Sequence, residues 1–203
     1  MAVITISRQF GAGGLTLGKR IAKRLDYSFY DNEIIQMVAQ QAKVSTRWVE
    51  SMEKEAGGKL ERLISGLVSK SFIDRLLDDR RGYIDEEIYV DLLGKIIKKI
   101  AEDGNAVILG RGSQYILKDY DRVYHTLLVA DKEYRIKFIE EKYDLFTKHA
   151  IQTVNNEDKR RINLYRKFGK GDYDNWSHYH LVLNMSRVDL DVAENLACRL
   201  VQQ

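Results

Sequence analysis

The chain contains no proline and a single cysteine in 203 residues. Without proline, every turn must rely on glycine, asparagine or aspartate, and no prolyl isomerisation limits folding. One thiol, Cys198, cannot form an internal disulfide; it sits in an apolar helical stretch, where a buried, inert thiol is expected. No apolar run approaches the ~20 residues that span a bilayer. The opening Met1-Ala-Val-Ile-Thr-Ile-Ser lacks the charged lead and long apolar core of a signal peptide, so a cytoplasmic protein without a membrane partner is expected. Strong charge of either sign is also missing. Lys+Arg number 33 and Asp+Glu 30, a net +3, which neither demands nor excludes an anionic partner.

What is present is a globular composition, 44% hydrophobic and 31% charged, over a length that fits one domain spanning 1–203. Ala2 to Ile6 reads as a strand buried on both faces. The loop Ser7-Arg8-Gln9-Phe10-Gly11-Ala12-Gly13-Gly14 follows, then a helix with Leu17, Ile21 and Leu25 at steps of four. Tyr27 to Tyr30 is a short second strand ending at Asp31. From there to Gly104 the pattern is helical. Ser45 is a candidate cap, Leu60 to Val68 form one amphipathic stripe, and Ile84, Ile88, Leu92, Ile96 and Ile100 form another; breaks fall at Gly57-Gly58 and around 78–82. Asn105 to Leu109, Arg122 to Ala130 and His180 to Asn184 supply three more strands. Asp131 is placed to cap one helix, a polar helix runs from Thr147 to Phe168, and a last helix from Asp189 to Val201. Strands alternating with helices predict an α/β fold with a mainly parallel sheet, which binds ligands at the carboxyl ends of its strands. Gly11 to Gly14, Asp31, Gly110-Arg111-Gly112 and Asn184 all fall there.

Gly11, Gly13 and Gly14 between a strand and a helix let backbone amides converge on an anion, with the helix dipole adding to the attraction. A plain tight turn needs fewer glycines. A literal G-x-x-x-x-G-K-[ST] search finds Gly13 to Gly18-Lys19, followed by Arg20. That register pulls Leu15 and Leu17 away from the helix they should anchor. The register that starts directly after the strand, at Arg8, puts Gly14 in the lysine position and Leu15 in the hydroxyl position. The lysine normally reaches the β- and γ-phosphates and the hydroxyl ligates magnesium. Arg8 or Lys19 are candidate replacements for the charge; Thr16, one residue late, is a poor metal ligand.

The stretches Ile4 to Gly14, Gly18 to Leu25, Tyr30-Asp31, Val107-Ile-Leu-Gly-Arg-Gly112, Leu128 to Arg135, Asp158-Lys-Arg-Arg161 with Tyr165, and Tyr179 to Arg187 together resemble the cytidylate kinase-like family, in order along nearly the whole chain. That resemblance implies a P-loop nucleoside monophosphate kinase fold: three α/β/α layers, a five-stranded parallel sheet, a helical acceptor region and a basic lid. The subregions would be 1–44 for the phosphate loop and core, 45–103 for the acceptor region, 104–146 for core, 147–178 for the lid and 179–203 for core. It further implies ATP with Mg2+ as donor, a nucleoside monophosphate such as CMP or dCMP as acceptor, and no nucleic-acid partner. Gly11, Ala12, Gly13, Gly14, Leu15, Thr16 and Lys19 would serve the donor, with Arg8 supplying charge. Arg111 would hold the acceptor phosphate, Arg161 would close from the lid with Asp158 orienting it, and Asp31 would open the acceptor region. Gly14 and Gly112 depart from true cytidylate kinases, which carry a lysine and an acid there.

Other readings compete. Loss of the lysine fits a nucleotide-binding regulator without catalysis. Lys159, Arg160, Arg161, Arg166, Lys167 and Lys170, with Tyr165, Phe168, Tyr173 and Trp176, fit a solvated helix face or a nucleic-acid surface. Asp31, about 20 residues past the glycines, stands where a dinucleotide fold places its ribose acid, but the loop lacks the third small residue of that motif. Asp31 as a helix cap is the plainer role. His178 and His180 have two-residue clip spacing with no further ligand pattern, so no metal site is expected. Asn184 and Ser186 either line a base pocket or simply make a turn. The aliphatic stripes leave a homodimer open.

Overall fold

A computed structural model describes residues 1–31, 86–167 and 174–202. Its parallel sheet contains β1 (Val3–Arg8), β2 (Ser28–Tyr30), β3 (Ala106–Leu109), β4 (Val123–Val129) and β5 (Leu181–Asn184), lying in the order β2-β3-β1-β4-β5. The helices are α1 (Gly14–Leu25), α2 (Glu86–Asp103), α3 (Ser113–Ile116), α4 (Lys132–Tyr143), α5 (Thr147–Lys167) and α6 (Leu190–Arg199). The five parallel strands are those expected. Ser45, the 60–68 stripe and the breaks at 57–58 and 78–82 lie outside the described residues.

Because successive strand residues face opposite ways, β1 serves two cores. Ile4 and Ile6 join Val107, Leu109, Leu128 and Leu183 against Leu17 and Ile21 of α1 and Ala193, Ala197 and Cys198 of α6. Val3, Ala106, Ile108 and Val123 pack on Leu92, Leu93, Ile96, Ile97 and Ile100 of α2, so the predicted stripe is real at 92, 96 and 100. Each fully buried aliphatic side chain contributes roughly 1.5–3 kcal/mol. Cys198 is buried as expected, and burial pushes its thiol pKa up.

Without proline, several turns fall to the expected residues, though two left-handed positions fall to Arg111 and Arg122. Asp26 and Asp144 close α1 and α4 in the left-handed conformation, and Asn105 leads into β3 the same way. Asp189 caps α6, its carboxylate accepting from the Val192 N–H at 2.9 Å. Asp131 occupies the corresponding position before α4, but its side chain makes no capping bond. One boundary moves: β1 extends through Ser7 and Arg8, which the sequence pattern assigns to the loop. Arg8 therefore belongs to the strand, on the same side as Ile4 and Ile6.

Candidate functional site

The chain leaving β1 turns at Gly11 (φ 86°) and Gly13 (φ 80°) before entering α1 at Gly14. A side chain at Gly11 would strike the Arg135 backbone, whose carbonyl oxygen would lie 2.8 Å from its Cβ. At Gly13 no such obstacle exists, so only the backbone conformation calls for glycine there. Gly13 is the N-cap of α1 and no side chain caps it. The first amides of α1 lack carbonyls a turn earlier, which makes this end a ready anion cradle. Ala12 is buried beneath, its N–H donating to the Gln9 carbonyl at 3.1 Å.

The literal lysine register fails on packing. A Cβ on Gly18 would come within 2.6 Å of Phe29, so this glycine lets α1 approach β2, and Lys19 is exposed more than a turn into the helix. Leu15 packs against the core, as an anchor would. In the strand-end register, the position of the missing lysine is filled from elsewhere. A Cβ on Gly14 would stand 2.9 Å from Arg8 Cγ, so the Arg8 stem lies across it. A different cation reaches Thr16: Lys142, near the end of α4, donates to its hydroxyl at 3.2 Å.

Across the rim, β3 ends in three consecutive left-handed residues, Gly110 (φ 73°), Arg111 (φ 61°) and Gly112 (φ 70°). This conformation costs a non-glycine residue about 1 kcal/mol, and here it falls on the arginine. Ser113 holds the turn by donating its hydroxyl to the Gly110 carbonyl at 2.8 Å. Arg111 Nη2 lies 4.0 Å from Asp31 Oδ1, and Arg8 Nη2 lies 3.9 Å from the same oxygen. Arg8 also feels Arg111 and Arg161. Burial lowers its pKa and the neighbouring Arg111 and Arg161 charges add to that, against the pull of Asp31. About 29% of its side chain still meets solvent, and the guanidinium stays ionised.

The basic helix α5 is docked onto this loop. Asp158 accepts from the Phe10 N–H at 3.3 Å and pairs with Arg135 at 2.7 Å, and Arg135 donates to the Phe10 carbonyl at 3.1 Å. The N–H and the C=O of one residue are thus gripped, while the Phe10 ring packs against Ile139, Ala150 and Val154. Asp158 accordingly does not orient Arg161 by contact. Asp174 does, in a two-pronged pair at 2.7 and 3.0 Å. Burial alone would lower the Arg161 pKa, but the Asp174 hydrogen bond and charge more than reverse it, so the net shift is upward. Gln9 ties the same Asp174 (3.2 Å) to β4 by accepting from the Ala130 N–H at 3.0 Å.

The alternative surface reading of this helix loses two of its members. Arg161 points inward and Tyr165 is buried, edge-on to Tyr115 with centroids 5.6 Å apart. Lys159 and Arg166 are exposed, as is Trp176; Phe168, Lys170 and Tyr173 lie outside the described residues. The chain immediately beyond Asp31, and hence the capping role of that residue, lies outside them too. His180 Nδ1 accepts from the His125 N–H at 2.9 Å, and His178 stacks edge-on to Tyr115. Asn184 accepts from the Ser186 N–H, and Ser186 accepts from the Asp131 N–H, so both hold the turn after β5.

Asp174 and Lys142 carry no signal in the sequence, and Gln9 and Arg135 none beyond falling in the ordered blocks Ile4 to Gly14 and Leu128 to Arg135. The arrangement suits a polyphosphate: an uncapped helix start, an open Gly13 and cations from three directions. Among the described residues no cluster of three His, Cys, Asp or Glu side chains could hold a metal.

A sequence model described as the cytidylate kinase-like family matches residues 3–187. No curated protein matches the chain. Among solved structures, an uncharacterised protein from Eubacterium ventriosum is 20% identical with a TM-score of 0.67, covering 100% of this chain and 99% of that one. Shikimate kinase from Bacteroides thetaiotaomicron is 13% identical with a TM-score of 0.51, again covering 100% and 99%. The fold is that of the P-loop kinases, as expected.

Proposed function

The chain belongs to the cytidylate kinase-like family, and from that premise we propose that it transfers the γ-phosphoryl group of ATP to a nucleoside monophosphate such as CMP or dCMP. The observation that carries the reading is the meeting of Arg8 and Arg111 about 4 Å from one carboxylate, between the glycine turn and the acceptor turn. Magnesium-ATP, when bound, supplies the phosphoryl group, whose bond to the bridging oxygen breaks as its bond to an acceptor oxygen forms. Such a transfer needs positioning and charge neutralisation more than covalent help. Gly11, Gly13, Gly14, Leu15 and Thr16 offer backbone amides to the donor phosphates, and Lys142 adds charge at Thr16. Arg111 binds the acceptor phosphate through its planar fork. Arg161, held by Asp174 and near enough for its charge to act on Arg8, helps exclude water. Asp31 aims both rim arginines.

The test is transfer from γ-labelled ATP, with magnesium, to a panel of nucleoside monophosphates and small alcohols. Label in a single monophosphate supports the reading and names the acceptor; label in an alcohol alone replaces it. A second reading, a nucleotide-binding regulator without turnover, is favoured by Gly14 and by Leu15, which faces the core and not the phosphates. It predicts ATP binding with no labelled product.

A further inference from the structure

The charge that a phosphate loop ordinarily carries at the start of its helix is absent at Gly14, and the geometry around that glycine says where it has gone. A Cβ at position 14 would lie 2.9 Å from Cγ, 3.2 Å from Cβ and 3.3 Å from Cδ of Arg8. These are stem atoms next to the strand backbone, not the swinging end of a side chain, so they cannot step aside cheaply. A Cβ at Gly110, on the opposite loop, would collide with Arg8 Nη1. The side chain therefore crosses from the donor turn to the acceptor turn, bounded by glycine at both ends, and its tip stands 3.9 Å from Asp31. Strand position explains the path, because Arg8 is the last residue of β1 and shares its side with Ile4 and Ile6, the side that α1 covers.

We propose that Arg8 and Gly14 are one exchanged unit: the loop's phosphate-binding cation has moved from the helix start to the strand end, where it bridges donor and acceptor phosphates, and Gly14 is glycine because the Arg8 stem occupies its side-chain space. This rests on the phosphoryl-transfer reading for its chemistry. Arg8 is the catalytic residue, since its fork would touch phosphate; Gly14 is a positioning residue acting through it. Two consequences separate this from simple loss of the lysine. Restoring lysine at 14 alone should harm the protein, and the two positions should be coupled.

The experiment compares wild type with Arg8→Ala, Arg8→Lys, Gly14→Lys and the double variant Arg8→Ala/Gly14→Lys. Thermal unfolding, affinity for magnesium-AMP-PNP and the kcat and KM of transfer are measured on each. Gly14→Lys is expected to unfold several degrees lower, with at least tenfold weaker nucleotide binding. Arg8→Ala is expected to lose at least 100-fold in kcat with a smaller change in KM, and Arg8→Lys to recover part of it. In the double variant most of the thermal penalty of Gly14→Lys should disappear, since only the Cβ contact at 3.2 Å remains, and nucleotide affinity should rise at least tenfold above Arg8→Ala. Additive effects in the double variant, or a fully stable and active Gly14→Lys, would overturn the proposal. If the wild type binds the nucleotide but transfers to no acceptor, the kinase reading fails by itself. The unfolding and affinity couplings still decide the exchange.

Discussion

The site holds two kinds of arginine, and they differ in what they grip. Arg135 and Arg161 make close pairs, each 2.7 Å from a carboxylate oxygen of Asp158 or Asp174, and their side chains are only 8% and 13% exposed. Arg8 and Arg111 stand 3.9 and 4.0 Å from Asp31 and are 29% and 24% exposed. The close pairs direct their hydrogen bonds at protein groups: Arg135 at Asp158 and the Phe10 carbonyl, Arg161 at Asp174. They build the walls. The looser pair stands farther from its shared carboxylate and keeps more contact with solvent. Under the proposed reading, the two closely paired arginines frame the site and the two more loosely paired ones meet phosphate.

The sharpest way to break this division is at Arg111. Arg111→Ala should reduce kcat/KM for transfer roughly 10³-fold, the scale of a lost phosphate-stabilising group. Its melting temperature should move little, measured by calorimetry, because the side chain is partly open and a costly left-handed conformation is retained. A large loss of stability there would merge the two classes.

Asp158→Ala should do the opposite. It leaves Arg135 buried without its carboxylate partner and frees the Phe10 N–H, which together should cost about 3 kcal/mol in chemical denaturation. A stability equal to wild type would show that the pair is not part of the frame.

Protonation separates the frame from the rim in a third way. His125 is buried in β4, with its Nδ1 2.7 Å from Thr5 Oγ1. Burial, and then the nearby His180, push its pKa down to about 4, against a backbone hydrogen bond to Leu117. A folded pKa below the unfolded value of 6.5 means that its contribution is complete above pH 6.5 and is lost as pH falls toward 4. The loss amounts to as much as about 3 kcal/mol. Denaturation curves from pH 7 to pH 4 should show that slope in wild type and a flatter one in His125→Gln. An unchanged slope would assign acid sensitivity to other groups.

The smallest effect is expected at Lys142, which is exposed and holds Thr16 by a single bond. Lys142→Ala should weaken ATP binding severalfold, on the order of 1 kcal/mol, with kcat nearly unchanged. Titration calorimetry at two salt concentrations would check it, since the difference should shrink as salt screens the charge.

Much of the fold was legible because its signals are local. Ile4 and Ile6, the glycines after them, and the apolar steps of α1 and α2 each state their structure within a few residues. The turns after β1 and β3 were legible for the same reason, as glycine clusters following strands. The pairings inside the site were not. Arg135 meets Asp158 23 residues away, and Lys142 meets Thr16 across 126. No local periodicity encodes such contacts; the family resemblance implies that Asp158 orients Arg161, whereas Asp174 makes the two-pronged pair with it. The Arg8 path was hidden for a related reason: the pattern ended β1 two residues early and so lost the strand alternation that directs the side chain.

The most direct test of the account is the rate of phosphate transfer by Arg111→Ala beside wild type, using the monophosphate that wild type labels and samples shown to be equally folded. The account predicts a loss of at least 100-fold, roughly the cost of removing one preorganised charge from a transferring phosphoryl group. Equal rates would contradict it, because the arginine held in the left-handed turn beside Asp31 would then have no part in the chemistry.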